Sequence, residues 1–296
     1  MKNISIIGSG TMGNGIAHVF AQHGYKVALI DMNPSALEKA LLNINKNFDR
    51  QIAKGLVSEE SKKEALANIN TFTSISEGVK SAELIIEAAT ENSELKLKIF
   101  AEMDENAPVN CILASNTSSI SITKLASVTK RPNAVIGMHF MNPVPVMKLV
   151  EIINGYSTDK EVTATIQNLA KAIGKVPTVA NDYPGFVANR ILMPMLNEAI
   201  CSLHEGVAGV EEIDTIMKLG MAHPMGPLQL ADFIGLDVCY SILMVLYNGF
   251  GNPKYAPCPL LTNMVTAKKL GIKTGEGFYD YTNGFKDLVV SKSFMP

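Results

Sequence analysis

A glycine-rich turn near the start of the chain constrains the fold more than any other feature of the sequence. GSGTMG, at residues 8–13, directly follows the β-rich run 4–7 and directly precedes a helical pattern over residues 14–23. A second β-rich run, residues 26–30, leads into Asp31. A strand, a glycine turn, a helix and a strand within about 30 residues form the βαβ context that makes G-x-G-x-x-G a specific signal.

The spacing of the glycines predicts a dinucleotide-binding site. Glycine tolerates a tight turn and lets the backbone approach a pyrophosphate, which the N–H groups at the helix N-terminus then bind. A glycine-rich turn that binds no ligand is the alternative. We expect the binding turn to comprise Gly8, Gly10, Thr11, Met12 and Gly13.

Asp31 predicts which dinucleotide binds. It lies 18 residues after Gly13, where a carboxylate can accept hydrogen bonds from the adenosine ribose hydroxyls. A carboxylate at this place repels a 2′-phosphate, so the sequence favours NAD(H) over NADP(H). An ordinary surface aspartate is the alternative.

The alternation of strand and helix patterns continues and predicts an α/β fold with a Rossmann-type, doubly wound sheet. Further strands are predicted over residues 69–72, 82–88, 111–114 and 134–139. The helices between strands are predicted over residues 14–23, 34–53, 58–68, 93–103 and 121–126.

The character of the sequence changes after residue 183. Apolar residues then recur at helical spacing, without strand alternation, over residues 185–203, 210–219, 228–247 and 260–270. We therefore expect two domains, an NAD-binding Rossmann-type domain over residues 1–183 and a smaller all-helical domain over residues 184–296.

Charge, hydropathy and cysteine content argue against several classes of protein. The net charge of -2 argues against a nucleic-acid partner, and no window reaches the roughly 18 apolar residues of a membrane-spanning helix. The first residues lack the pattern of a secretory signal peptide. The 4 cysteines are scattered without metal-ligand spacing, so we expect a reducing, cytoplasmic setting and no bound metal.

Polar residues occur where the predicted strands end. Glu87, Ser115 and His139 fall at or near three strand ends, and Glu91 and Asn116 lie just beyond. Ligands of open α/β sheets bind outside the carboxyl ends of the strands, so this position favours a role in binding or catalysis. A hydrogen-bonded core histidine is the alternative for His139.

His139 and Glu151 form a candidate acid–base pair. An imidazole takes a proton from an alcohol most effectively when a carboxylate orients its other nitrogen. Glu151 lies 12 residues after His139, and NPVP at residues 142–145 favours a chain reversal between them. Two runs folded back on one another could place the two side chains together. A solvated Glu151 near Lys148 is the alternative.

Six segments form a combination far more specific than any one of them. They are GSGTMG, ASNTSS at 114–119, HFMNPVPVMKLVE at 139–151, PGFVANR at 184–190, HPMGPLQLADFIGLD at 223–237 and GEGFYDY at 275–281. Together they resemble the 3-hydroxyacyl-CoA dehydrogenases, especially the free-standing bacterial 3-hydroxybutyryl-CoA dehydrogenases. The resemblance covers residues 2–282, and the tail that follows lies outside the pattern.

The resemblance implies NAD-dependent interconversion of (3S)-3-hydroxyacyl-CoA and 3-oxoacyl-CoA, with short-chain substrates such as 3-hydroxybutyryl-CoA and acetoacetyl-CoA. His139 would take the 3-hydroxyl proton while hydride leaves C3, and Glu151 would orient His139. Ser118 and Asn189 would hydrogen-bond the reacting oxygen or the thioester carbonyl, at a site between the domains. By its sequence context alone, Ser118 could instead cap the helix that follows.

The resemblance also implies further contacts and a homodimer formed through the helical domain. Arg50 and Lys54 would bind the phosphates of coenzyme A, although composition alone equally allows an ordinary solvated helix face. The additional contacts to the cofactor would come from Glu91, Lys96, Asn116, Ser118, Asn142 and Lys273.

Two other functions remain open at the level of sequence. A related dehydrogenase could act on a free hydroxy acid or sugar acid, which predicts activity without coenzyme A. A dinucleotide-binding protein without turnover could share the fold, because fold alone does not imply function.

Overall fold

The chain divides into two compact units, Met1–Tyr183 and Pro184–Pro296. The computed structural model describes residues 1–284 and 288–295. Each unit has its own cluster of buried apolar side chains, one centred on a sheet and one on packed helices. The predicted α/β fold with a Rossmann-type first part and a helical second part is confirmed.

The first unit contains an 8-stranded sheet in the order β3-β2-β1-β4-β5-β6-β7-β8. All neighbouring strands are parallel except β6 and β7, which are antiparallel. The strands are β1 (Asn3–Ile7), β2 (Lys26–Ile30), β3 (Ile69–Phe72), β4 (Leu84–Glu87), β5 (Ile112–Ser115), β6 (Val135–Phe140), β7 (Leu149–Asn154) and β8 (Val176–Asn181).

Helices cover both faces of this sheet. Apolar side chains of α1, α2 and α7 pack in one cluster with Ile136 and Ile152, whereas Ile122 of α6 contacts Gly137 on the opposite face. The helices are α1 (Thr11–Gln22), α2 (Pro34–Ala53), α3 (Glu59–Ala67), α4 (Ile75–Gly78), α5 (Ser93–Asn106), α6 (Ile122–Ala126) and α7 (Lys160–Ala172). The short α4 and the longer α7 were not among the predicted helices.

The second unit is mainly helical. Its helices are α8 (Ala188–His204), α9 (Val210–Thr215), α10 (Pro227–Ile234), α11 (Leu236–Phe250) and α12 (Pro259–Thr266), and a π-helical turn, Ile216–Gly220, extends α9. The expectation of an all-helical unit was wrong in one respect, because β9 (Tyr279–Asp280) and β10 (Val289–Val290) form a small antiparallel sheet.

The single helix predicted over residues 228–247 was also wrong. Gly235 has φ of 101°, a conformation outside the helical region, and it separates α10 from α11. The two helices meet at an angle of 96°. Apolar spacing runs through Gly235 without interruption, so periodicity alone does not reveal the break. Glycine tolerates this positive φ at little steric cost, which is why the bend occurs there.

The tail beyond the family pattern packs on the helical unit over its described part. Ser291 Oγ donates a hydrogen bond to Glu276 Oε1 at 2.6 Å, and the ring of Phe294 lies 5.6 Å from that of Phe278. Together with the pairing of β10 with β9, these contacts fix residues 288–294 against the segment at 275–281.

Two buried aspartates attach the same 275–281 segment to the helices. Asp232 of α10 accepts bonds from the N–H groups of Phe278 and Tyr279, each at 3.0 Å, and from the Tyr281 hydroxyl. Asp214 of α9 accepts a bond from the Tyr279 hydroxyl at 2.8 Å. Burial raises the pKa of Asp232 to about 6, because its hydrogen bonds only partly offset the loss of hydration.

Within residues 1–284 and 288–295, no single helix has the length and hydropathy needed to cross a membrane. The bent pair α10 and α11 has the length and apolar composition of a membrane-spanning segment only when the two helices are counted together.

Candidate active site

The glycine turn connects β1 to α1 and requires glycine at two positions. Gly8 has φ of 96°, and a Cβ there would lie 2.7 Å from the Ala88 carbonyl oxygen. A Cβ on Gly13 would lie 1.7 Å from the Gly8 carbonyl oxygen. Any side chain at Gly13 would therefore push α1 away from the turn.

The N-terminus of α1 is suited to binding a phosphate group. Gly10 is the N-cap residue and has no side chain to occupy the N–H groups of the first turn, which contains Thr11 and Met12. Apart from the adjoining backbone of the same turn, no described atom lies within 4 Å of the place where a Cβ on Gly10 would project. A pyrophosphate can thus approach this backbone, where the helix dipole favours negative charge.

Asp31 follows β2 and lies beside the glycine turn. Its carboxylate accepts bonds from the Ser9 N–H at 2.9 Å, the Ser9 hydroxyl at 2.8 Å and the Asn33 N–H at 3.0 Å. Burial opposes its ionisation, but the bonds from Asn33 and Ser9 outweigh burial and hold the pKa of Asp31 below its usual value. The side chain is therefore a charged acceptor beside the glycine turn.

A buried ion pair lies where β4 and β5 end. Lys96 of α5 is 1% exposed, and its ammonium lies 2.6 Å from Oε1 of Glu87, which is fully buried. Glu87 also accepts bonds from the Ser115 hydroxyl at 2.6 Å and the Ala89 N–H at 2.7 Å. The sequence placed Glu87 and Ser115 at strand ends, a position that favours binding or catalysis, but assigned no specific role to either. The carboxylate within AELIIEA was the only signal for this pair.

Glu91 joins that ion pair to the loop that contains Ser118. Its Oε2 lies 3.4 Å from the Lys96 ammonium, and its Oε1 accepts bonds from Thr117 Oγ1 at 2.5 Å and from the Ser118 and Ser119 N–H groups at 3.1 Å. Burial opposes ionisation of Glu91, but the Lys96 charge and the donors of the loop lower its pKa. Glu91 and Lys96 thus fix the backbone around Ser118.

Two asparagines lie close to the same edge. Asn116 follows β5, and its Oδ1 accepts a bond from the Phe140 N–H at 2.9 Å, which ties β5 to the end of β6. Asn142 is exposed in the connection between β6 and β7, and its bond to Pro143 is cis.

His139 and Glu151 lie directly opposite one another on the antiparallel strands β6 and β7. His139 Nδ1 is 2.8 Å from Glu151 Oε2, and the side chains are 13% and 5% exposed. The chain reversal expected at residues 142–145 is therefore present and brings the two side chains together. A carboxylate that accepts the Nδ1 proton leaves Nε2 of the neutral imidazole unprotonated, so Nε2 is the nitrogen that can accept a proton.

The remaining predicted site residues occur in two places. Arg50 lies in the last turn of α2 and Lys54 is its C-cap, and both are exposed. Asn189 lies in the first turn of α8, in the helical unit. Lys273, in the same unit, forms an ion pair with Asp237. For these four residues, as for the other predicted site residues, the roles toward the cofactor or substrate stay predictions.

Metal coordination finds no support in the described part of the chain. No group of three or more His, Cys, Asp and Glu side chains suited to hold a metal ion occurs in residues 1–284 and 288–295.

Comparison with protein families covers both units. Residues 3–183 match the model described as 3-hydroxyacyl-CoA dehydrogenase, NAD binding domain, and residues 185–281 match the model for the C-terminal domain of the same family. The boundary between the two matches coincides with the boundary between the two compact units.

Individual relatives cover nearly the whole chain. A probable 3-hydroxybutyryl-CoA dehydrogenase of Bacillus subtilis (strain 168) is 50% identical over 95% of this chain and 98% of its own length. A 3-hydroxybutyryl-CoA dehydrogenase of Clostridioides difficile is 50% identical over 94% and 99%. The crystal structure of (S)-3-hydroxybutyryl-CoA dehydrogenase from Ralstonia eutropha superposes with a TM-score of 0.93 at 50% identity, over 95% of this chain and 99% of that chain.

Proposed function

Because the chain belongs to the NAD-dependent 3-hydroxyacyl-CoA dehydrogenase family, we propose that it interconverts (3S)-3-hydroxybutyryl-CoA and acetoacetyl-CoA. The observation that carries this proposal is the His139–Glu151 pair, held at 2.8 Å on two strands of the sheet that also bears the dinucleotide turn. The names of the relatives support the short-chain thioester as substrate.

His139 is the proposed acid–base group. Its Nε2 would take the proton of the 3-hydroxyl in the oxidative direction and return it in the reductive direction. Glu151 would orient the ring through Nδ1 and stabilise the imidazolium that forms. Because Glu151 is almost fully buried, little water competes with the imidazole for its carboxylate.

The cofactor would lie along the carboxyl edge of the sheet. When bound, NAD accepts a hydride from C3 of the substrate, and NADH donates one. The N–H groups at the start of α1 would bind the pyrophosphate, and Asp31 would bind the adenosine ribose. Glu91, Lys96, Asn116 and Asn142 surround the strand ends where the rest of the dinucleotide would lie.

Ser118 and Asn189 would position the thioester. The Ser118 backbone is fixed by Glu91, so its hydroxyl is presented from an ordered loop. Ordered donors of this kind hold C3 in line for hydride transfer without reorganisation during the reaction. Arg50 and Lys54 are exposed cations on one helix end and would bind the phosphates of coenzyme A.

The first test is the initial rate of NADH oxidation with acetoacetyl-CoA, compared with free acetoacetate, longer 3-oxoacyl-CoA thioesters and NADPH. We expect turnover that requires both NADH and the thioester. Comparable rates with free acetoacetate would favour a dehydrogenase of free acids. Tight NADH binding without turnover on any thioester would indicate a binding protein and would refute the proposed activity.

We expect replacement of Asp31 to weaken the preference for NADH over NADPH. At a separation near 4 Å in water, a carboxylate and a phosphate repel by about 1 kcal/mol, which corresponds to about fivefold in relative affinity. Asp31→Ala removes the charge together with the acceptor for Ser9 and Asn33, whereas Asp31→Asn removes the charge and keeps one acceptor oxygen. Unchanged ratios of kcat/KM for the two cofactors in both variants would refute the assignment.

The proposal includes a homodimer formed through the helical unit. Three apolar side chains close together in sequence, Ile216, Leu219 and Met221, are 57%, 83% and 62% exposed. Contiguous exposed apolar surface is typical of an interaction site. Sedimentation velocity tests the state of assembly, and a monomer at micromolar concentration would contradict it.

A cytoplasmic location is proposed from the thiols. All four cysteines are free, which suits a reducing compartment. Cell fractionation tests this, and recovery of the protein outside the cytoplasm would contradict it.

A further inference from the structure

The connection between β6 and β7, residues 141–148, joins the strand of His139 to the strand of Glu151. It also contains Asn142, a predicted cofactor contact. The N–H groups of Val146 and Met147 both donate to the Pro143 carbonyl at 3.0 Å, so the connection forms a compact turn. Any shift of this turn relative to the sheet would move the two strand ends that hold the acid–base pair.

Lys175 fixes this connection from outside it. The residue lies immediately before β8 and is 8% exposed. Its ammonium donates to the Val144 carbonyl at 2.5 Å and to the Met147 carbonyl at 2.8 Å. The ammonium therefore binds two carbonyls that lie three residues apart in the connection and holds them at a fixed separation.

Burial of the Lys175 ammonium has an unfavourable free energy that a solvent-exposed lysine does not have. Among the described residues no carboxylate pairs with Lys175, and burial lowers the pKa of its ammonium. A buried ammonium is unfavourable unless its protons are hydrogen-bonded. Here the partners are backbone carbonyls of the one segment that links His139 to Glu151.

The fixed connection contacts both functional parts of the first unit. Val144 packs against the dinucleotide-binding helix, since a Cβ on Gly15 of α1 would lie 2.9 Å from the Val144 Cβ. On the other side, only Lys148 separates Met147 from β7, and the Val176 N–H next to Lys175 donates to the Lys148 carbonyl at 2.8 Å. Lys175 thus lies where cofactor helix, connection and Glu151 strand meet.

We propose that Lys175 is a positioning residue for the reaction, whose ammonium fixes the 141–148 connection and so sets Glu151 against His139. The inference rests on the proposed function for its kinetic consequence. Its structural part, the fixing of the connection, stands apart from the identity of the substrate.

The kinetic test is a double-mutant cycle between Lys175→Met and Glu151→Gln. Methionine keeps most of the apolar length of the side chain and removes the ammonium. Because displacement of a catalytic group by about 1 Å can cost about 10²-fold, we expect kcat for acetoacetyl-CoA reduction to fall by up to that factor, with a smaller change in KM for the thioester. If Lys175 acts through Glu151, the double variant is no slower than Glu151→Gln alone.

Matched variants separate positioning from general destabilisation. Lys171→Met removes an exposed ammonium from α7, four residues away, and we expect kcat near the wild-type value. Lys175→Arg keeps a charged donor and should recover part of the activity lost in Lys175→Met. Losses that multiply in the double variant, or a Lys175→Met enzyme with wild-type kcat, would overturn the proposal.

Amide hydrogen exchange over residues 141–148 provides the second measurement. We expect faster exchange at Val146 and Met147 in Lys175→Met, and unchanged exchange in Lys171→Met. Unchanged exchange in Lys175→Met would overturn the proposal even if no thioester is turned over, whereas an inactive wild-type enzyme with faster exchange in the variant would refute only the proposed activity. Should Lys175→Met fail to fold, Lys175→Gln provides the same readouts.

Discussion

Replacement of His139 by glutamine is expected to lower kcat for acetoacetyl-CoA reduction by about 10²- to 10⁴-fold, the range that general acid–base catalysis supplies. Glutamine can still hydrogen-bond to Glu151 but cannot exchange a proton near neutral pH. NADH binding should stay near the wild-type value, because the dinucleotide turn and Asp31 follow other strands, β1 and β2. Steady-state rates and a fluorescence titration with NADH measure the two quantities separately.

His23→Gln is the matched control for this prediction. His23 is an exposed imidazole at the end of α1 whose Nδ1 contacts the Val19 carbonyl oxygen at 2.8 Å, away from the carboxyl edge of the sheet. We expect near-normal turnover from this control. If His139→Gln also kept most of its turnover with NADH bound normally, the assignment of His139 as the base would be wrong.

Asp232→Ala is expected to destabilise the helical unit by about 3 to 5 kcal/mol, because each buried donor that loses its acceptor costs about 1 to 3 kcal/mol. The substitution removes the acceptor of the Phe278 and Tyr279 N–H groups and of the Tyr281 hydroxyl. The same carboxylate lies against Gly277, where a Cβ would be 1.9 Å from Asp232 Oδ1. A lower urea midpoint by circular dichroism measures the effect.

Asp280→Ala tests whether the loss of stability expected for Asp232→Ala arises because the Asp232 carboxylate is buried. Asp280 lies in β9 of the same segment, but among the described residues its side chain accepts hydrogen bonds only from Thr282, from the N–H group at 2.8 Å and from the hydroxyl at 2.7 Å. We expect a small shift of the midpoint. Equal shifts in Asp232→Ala and Asp280→Ala would show that the buried carboxylate does not hold the 275–281 segment.

The parts of the fold that were predictable depend on local pattern. The glycine turn, the β-rich runs around it and the alternation of strands with helices all express short-range periodicity, and the Rossmann-type order of β3-β2-β1-β4-β5 follows from right-handed βαβ connections. The predicted strand ends differ from the observed ones by at most two residues, because hydrogen bonding at the ends rather than periodicity sets the boundaries.

The errors in the helical unit have physical causes that lie outside local pattern. The break at Gly235 occurs within a continuous apolar stripe, and the bend is set by packing of α10 and α11 around the second core. The helix predicted over residues 260–270 ends at Thr266, and Lys268 follows with φ of 59°. Neither Thr266 nor Lys268 is a residue type that strongly indicates the end of a helix.

The candidate site likewise has a part that the sequence predicted and a part that it did not. Asn-Pro and Val-Pro suggested that the chain reverses after His139, so the approach of Glu151 could be inferred from sequence. The buried Glu87–Lys96 pair and the hydrogen bonds of Lys175 could not be inferred from the sequence. Lys175 and Val144, for example, lie 31 residues apart, and no local sequence pattern connects them.

The sequence by itself determined the class of fold, the place of the dinucleotide turn and the family. These depend on glycine spacing, on periodicity and on short sequence segments that can be recognised without the structure. Only the tertiary structure decided that His139 and Glu151 are directly opposite in register, that Lys96 lies between two carboxylates and that Lys175 bonds to the connection between the strands of His139 and Glu151. A buried charge needs hydrogen-bonding or charged partners close to it in space, and packing of the folded chain, rather than position along the sequence, decides which groups lie there.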